Sequence, residues 1–130
     1  MTQYEELMQE ALIARESAYS PYSGIKVGSA ILFEDGEIIT GCNVENASYG
    51  LTICAERNAM TTAIGLGLSN PVAIAIASRD GLPCTPCGAC RQFLIEFNPE
   101  MDVVLQEEKN LSVIKLSELL PGYFSLTDKQ

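Results

Sequence analysis

Apolar residues recur at helical spacing from the start of the chain. Tyr4, Leu7, Met8, Ala11, Leu12 and Ala18 fall on one stripe, broken only by Arg15. Thr2 and Glu5 stand at its head with the spacing of a capping box. The stripe should stop near Tyr19-Ser20-Pro21, because a residue before proline is pushed out of the α region. Val27 to Phe33 then reads as a strand, Asp35-Gly36 as a hairpin turn, and Ile38 to Val44 as the returning antiparallel strand. Asn43 to Gly50 is polar and reads as a loop. A second helix is predicted from near Thr52 to Cys54, with Ala55, Ala59, Met60, Ala63 and Ile64 on one side. Gly65 and Gly67 offer its stop.

Val72 to Ala77 is apolar without alternation, as expected of a strand covered on both faces. Thr85 fits an N-cap with Pro86 at the first helical position, opening a helix through Phe97 that stops before Pro99. Val103 to Leu105 and Ser112 to Leu116 are short strands, and Ser117 caps a last turn before Pro121. This order of elements predicts an α/β fold: a three-layer α/β/α sandwich, a mixed five-stranded sheet with helices on both faces. Nothing in the chain reads as a linker, so one domain is expected over residues 1–130.

Composition narrows the function. With 130 residues and 47% hydrophobic positions, the chain is long enough to bury a real core. Its apolar runs are too short to span a bilayer, so no membrane partner is expected. The acidic N-terminus lacks the basic flank of a secretory signal, which points to a cytoplasmic location. Eight basic against 17 acidic residues give a net charge of −9, which argues against a polynucleotide partner. The chain has no histidine, which removes Ser-His-Asp and Cys-His catalysis and every imidazole metal site. Four of its five cysteines crowd between Cys54 and Cys90, a pattern of metal or redox work more than of structural disulfides.

Cys54-Ala55-Glu56-Arg57 and Cys84-Thr85-Pro86-Cys87-Gly88-Ala89-Cys90-Arg91 each lie where a helix is predicted to begin. Spacing alone leaves several readings open. The Cys84, Cys87 and Cys90 run could hold an iron–sulfur cluster, although the further Cys-Pro of a ferredoxin run is missing. Cys84 and Cys87 could form a redox dithiol, and all four thiols could close a structural zinc site. Alternatively, Cys54, Cys87 and Cys90 hold zinc and leave its fourth position to water. Glu56 favours this last reading, as an acid/base candidate beside that position. Three thiolates on Zn²⁺ carry a net −1, which weakens a Lewis acid. Arg57, Arg91 and the two helix N-termini are candidates to offset it, the plainer alternative being two solvated arginines.

Cys-x-Glu followed by Pro-Cys-x-x-Cys resembles the zinc-dependent nucleoside and nucleobase deaminases. More narrowly, Asn43-Val44-Glu45-Asn46-Ala47-Ser48, Cys54-Ala55-Glu56-Arg57, Pro86-Cys87-Gly88-Ala89-Cys90-Arg91-Gln92 and Leu119-Leu120-Pro121-Gly122 resemble the small homotetrameric cytidine deaminases. The likeness runs in order from Tyr19 nearly to the C-terminus. It implies one zinc per chain on Cys54, Cys87 and Cys90, with Cys84 and Cys42 as spectators. Glu56 then carries a proton from the attacking water to N3 of the pyrimidine and assists departure of ammonia. Asn43 and Glu45 match a ribose-binding pair, two residues apart on an extended segment and so pointing the same way. The backbone N–H of Ala55 resembles the donor to the base carbonyl, and the C=O of Thr85 the acceptor for the departing amino group. Phe124 resembles an aromatic that reaches a neighbouring subunit's active site, with a core plug as the alternative.

One position departs from the family pattern. Tyr22-Ser23-Gly24-Ile25-Lys26-Val27-Gly28 has Ile25 where an aromatic usually packs on cytosine. The resemblance implies deamination of cytidine and deoxycytidine in pyrimidine salvage. Its rivals are a blasticidin-S deaminase-like activity on a modified cytosine nucleoside and, from another class, a non-catalytic structural zinc module. The Asn43/Glu45 pair favours a simple ribose, and Glu56 argues against a closed structural site.

Overall fold

The computed structural model describes residues 1–126. Helix α1 spans Gln3–Arg15 and opens on the expected capping box, with Glu5 N donating to Thr2 Oγ1 and Thr2 N to Glu5 Oε1. It ends short of the predicted stop. The N–H groups of Glu16, Ser17 and Ala18 reach back only three residues, and Tyr19 N donates instead to Asn43 O. Strands β1 (Gly28–Phe33) and β2 (Ile38–Cys42) form the expected hairpin around Gly36, whose φ of 93° suits the turn. Val44 leaves the hairpin and bridges Tyr19 and Ile53.

Helix α2 (Ala55–Gly65), strand β3 (Pro71–Ala77), helix α3 (Gly88–Ile95), strands β4 (Asp102–Glu107) and β5 (Asn110–Lys115) and a short α4 (Leu116–Leu119) complete the order. A 3₁₀ turn at Tyr49–Leu51 interrupts the loop before α2. The last turn is capped by Lys115 rather than the predicted Ser117. The five strands lie in the order β2-β1-β3-β4-β5, antiparallel except for the parallel pair β3–β4. The sheet is therefore mixed, and it carries helices on both faces.

Side-chain size divides the two layers. Ala73, Ala75 and Ala77 of β3 face α1 together with Ala30 and Leu32, while Ile74 and Ile76 join Ile31 and Phe33 under α2 and α3. Small residues on one face let α1 lie close to the sheet. At Gly28 the approach is closer still, since a Cβ there would stand 2.0 Å from Ala11 O. Tyr4 Oη on α1 also donates to Asp102 at the start of β4, where Lys115 Nζ closes an ion pair at 2.8 Å.

The second close approach positions the site. A Cβ on Gly41 would lie 2.5 Å from Ala59 N and 2.6 Å from Ala55 O, so α2 rests directly on β2. The buried Ser29 Oγ donates to that same Ala55 carbonyl at 2.8 Å, which fixes the first turn of α2 to β1 as well. Gly41→Ala must push α2 outward. The expected cost is about 1–3 kcal/mol, read as a lower melting temperature, with reduced zinc retention because the displaced helix starts at Cys54. An unchanged melting temperature and zinc content would mean that the contact yields freely.

Candidate metal centre and active site

Cys54 and Cys87 occupy equivalent places, each the N-cap of its helix in extended conformation, at ψ 154° and ψ 168°. The Thr85-Pro86 start predicted for α3 is therefore corrected. Pro86 is fully buried, Thr85 stays in the exposed approach, and Arg91 N donating to Cys87 O marks the first helical turn. Neither cysteine uses its sulfur to cap its own helix. Cys90 follows Cys87 by three residues, which on a helix brings it to the same face. The Sγ atoms of Cys54, Cys87 and Cys90 all lie within 4.8 Å of one another, and Cys54 and Cys87 are 3.8 Å apart.

That spacing tests the fit of a metal. Tetrahedral zinc with Zn–S bonds of about 2.3 Å separates its sulfurs by about 3.8 Å. The donor set suits zinc, and it consists of three sulfurs, without Cys84 or Cys42. A closed four-sulfur site is thus not what this fold assembles. All five cysteines are free thiols, and burial pushes the Cys84 thiol up to about 11. Cys54 is lowered, because Cys90 donates to its sulfur and Arg57 Nη2 approaches at 3.4 Å. Cys90 moves the other way, as the proton-holding partner of that pair.

Arg57 stands where the net charge of a three-thiolate centre needs it. Its hydrogen bond to Cys54 holds the guanidinium firmly protonated, and its buried Nε has no protein partner. Arg91, the other candidate to offset that charge, makes its hydrogen bonds to backbone carbonyls. Its Nε donates to Pro86 O at 2.8 Å and its Nη1 to Leu119 O at 3.0 Å, so it ties α3 to the C-terminal segment. Gln92 extends that tie by donating to Phe124 O at 3.1 Å, while the Phe124 side chain stays 66% exposed. An exposed Phe124 is no core plug.

Glu56 follows Cys54 into the first turn of α2 and is only 4% exposed. Burial pushes its carboxyl up, an effect that the nearby Cys54 charge reinforces. The fold thus sets a buried carboxylate beside a trio of sulfurs, as the Cys-x-Glu spacing predicted. Ala55, at the head of the same helix, is fully buried.

The remaining candidates gather on the approach to β1. Asn43 is buried; its Oδ1 accepts Val27 N at 2.8 Å and its Nδ2 donates to Ile25 O at 2.9 Å. Glu45 Oε1 accepts Tyr22 N at 3.0 Å and Ser23 N at 3.1 Å, while Ser23 Oγ donates to Oε2. Ile25 is 41% exposed, and Val27 beyond it packs against the core under α2 and α3. Sequence reasoning missed Ser29 and Ser23, whose hydroxyls fix the two halves of the site. Ser29 left one signal, a lone hydroxyl in an apolar strand. Ser23 stood in the Tyr22–Gly28 segment compared with the family pattern, but without a role of its own.

The comparisons with known proteins converge on one family. The pattern defining the cytidine and deoxycytidylate deaminase zinc-binding region matches residues 1–106. The chain is 48% identical over 124 residues to a cytidine deaminase of Halalkalibacterium halodurans, covering 94% of each protein. It is 45% identical to that of Sporosarcina psychrophila, over 95% of this chain and 93% of the relative. Its fold matches the crystal structure of cytidine deaminase from Burkholderia pseudomallei with a TM-score of 0.88 at 45% identity, over 95% of this chain and all of the other. With that match over residues 1–106 and relatives this similar along nearly their whole length, the chain belongs to the cytidine and deoxycytidylate deaminases.

Proposed function

We propose that this chain hydrolyses cytidine and deoxycytidine to uridine and deoxyuridine, releasing ammonia, as one cytoplasmic domain working in pyrimidine salvage. The observation that carries the reading is the buried Glu56 carboxylate beside the Cys54, Cys87 and Cys90 sulfurs. Zinc held by those three cysteines would supply Lewis-acid activation of water at its open fourth position. Every other step belongs to the chain. Glu56 takes a proton from the attacking water and delivers it to N3, which makes C4 electrophilic. It then takes the second proton from the hydroxyl now on C4 and delivers it to the amino group, so that the C4–N bond breaks and ammonia leaves. Arg57 offsets the excess negative charge of the thiolates. Ala55 N–H donates to the base carbonyl, and Thr85 C=O accepts from the departing amine. Asn43 and Glu45 grip the ribose hydroxyls. Loss of ultraviolet absorbance as cytidine becomes uridine, followed with purified protein, tests the reading. No loss with zinc-loaded protein would end it.

Ile25 carries the base-facing contact in this reading. It lies two residues before Val27, which packs into the layer under α2 and α3, and successive alternate residues of an extended chain share a face. An aromatic at this place would add about 0.5–1.5 kcal/mol beyond area burial, a change of roughly twofold to tenfold in affinity. Ile25→Phe should therefore tighten cytidine binding by less than about tenfold and disfavour 5-methylcytidine, with kcat little changed. Steady-state kinetics on both substrates checks this. If neither changes, Ile25 lies away from the base.

The assembly we propose is a homotetramer with shared active sites, to which Phe124 contributes across a subunit boundary. Its two-thirds exposed ring supports this, as do the exposed Tyr19, Tyr49, Leu51 and Ile53, apolar surface that a lone subunit would leave in water. Phe124→Ala should then raise KM for cytidine. Mixing two inactive variants damaged in different contributions should restore some activity. A fully active enzyme that elutes as a monomer contradicts the assembly.

A further inference from the structure

The segment before β1 is a hydrogen-bonded unit whose centre is the Ser23 hydroxyl. Gly24, at φ 72°, turns the chain so that Ile25 N donates back to Ser23 Oγ at 3.0 Å. The same hydroxyl meets Glu45 Oε2. A backbone N–H only donates and a carboxylate only accepts, so the proton of Ser23 must point to Glu45. The N–H and C=O of Ile25 are thus both tied: the first through Ser23 to Glu45, the second directly to Asn43. Glu45 has three of its roughly four acceptor positions filled by Tyr22 N, Ser23 N and Ser23 Oγ, which leaves one for a ligand. Ser23 and Glu45 also line a common cavity of about 410 Å³ with Tyr22 and Tyr49.

We propose that Ser23 is a positioning residue for nucleoside recognition, its hydroxyl fixing the Glu45 carboxylate and the Ile25 backbone in one frame. The proposal rests on the reading of Glu45 as a sugar-contacting group. Without the hydroxyl, Glu45 keeps two backbone donors on Oε1 but loses the one that orients Oε2. The carboxylate can then swing, and the order lost must be restored each time a sugar binds. The reacting groups on α2 and α3 are untouched, so the effect belongs in binding rather than in turnover.

The experiment compares Ser23→Ala, Ser23→Thr and Glu45→Gln with the parent zinc enzyme. It measures kcat and KM for cytidine, and Ki for 2′,3′-dideoxycytidine, which keeps the base and the 5′-hydroxyl but lacks the 2′- and 3′-hydroxyls. Ser23→Ala should raise KM for cytidine about tenfold to a hundredfold, the range of one charge-assisted hydrogen bond, with kcat within about twofold. It should shift Ki for the dideoxynucleoside by less than about twofold. Ser23→Thr should restore cytidine KM, and in a Glu45→Gln background Ser23→Ala should add little. Ser23 is exposed, so its truncation opens no cavity and the variant should fold. Equal shifts for both nucleosides, or a fall confined to kcat, would overturn the proposal. If Glu45→Gln itself fails to distinguish the two nucleosides, the sugar-contacting reading of Glu45 fails first and takes the proposal with it. If Glu45→Gln distinguishes them and Ser23→Ala does not, the role of Ser23 alone is refuted.

Discussion

Glu56→Gln is expected to lower kcat by about three orders of magnitude, within the 10²–10⁴ that a positioned acid/base contributes, while keeping zinc and fold. The side chain is 4% exposed, so the isosteric amide fills its place without a cavity. Its oxygen can still accept a hydrogen bond from water, but it cannot hold a proton and pass it on. The sulfur trio sits on Cys54, Cys87 and Cys90, so metal content should not depend on residue 56. Stability should not fall either. A carboxyl whose charge is opposed by burial and by the neighbouring Cys54 gives little up when a neutral group replaces it. Three measurements make the case together: kcat from steady-state kinetics, zinc per chain, and the melting temperature. Turnover within tenfold of the parent, or a zinc-free variant, would remove Glu56 from the role assigned to it.

Local chemistry was legible wherever it was decided locally. Thr2 and Glu5 announced their capping box, Asp35-Gly36 its turn, and Cys-x-Glu with Cys-x-x-Cys the composition of the metal centre. What escaped was decided by distant parts of the chain. Thr85-Pro86 carries strong cap signals, yet burying Pro86 moves the cap to Cys87, which is what gives α3 a thiol at its mouth matching Cys54 on α2. In Val72 to Ala77, hydrophobicity says only that both faces are covered. The alternation of Ala with Ile tells which helix layer each face meets, and that is readable only once α1 is known to lie against the alanines.

The same limit applied to single positions. Gly28 and Gly41 look like ordinary strand glycines until a helix backbone is found within van der Waals reach of each. Arg91 follows Cys90 as Arg57 follows Glu56, so sequence treats them alike. The fold separates them: one guanidinium faces a sulfur, and the other faces the carbonyls of Pro86 and Leu119. Asn43 and Glu45 were readable as a pair, but their attachment to the Tyr22–Val27 segment depends on a crossing between Tyr19 and Val44 that no local pattern encodes.

The other large effect falls on the sulfurs. Cys54→Ala, Cys87→Ala and Cys90→Ala should each lower bound zinc well below one per chain and abolish activity, because tetrahedral zinc with two protein thiolates lacks the donors that hold it. The three should differ in stability. Cys90 is fully buried and Cys54 half-buried, whereas Cys87 is exposed, so Cys90→Ala leaves a void and Cys87→Ala does not. Cys87→Ala is therefore the cleanest test, combining the loss of zinc with the smallest intrinsic damage to the core. Cys84→Ala and Cys42→Ala should keep one zinc and near-parental turnover, since neither sulfur belongs to the trio. Cys84 packs beside the core and is about half hidden, so its truncation should cost stability without touching metal content. Atomic absorption on the five variants, read beside their melting curves, separates a ligand from a packing thiol. Iron in the parent protein, or zinc lost from Cys84→Ala, would overturn the ligand set.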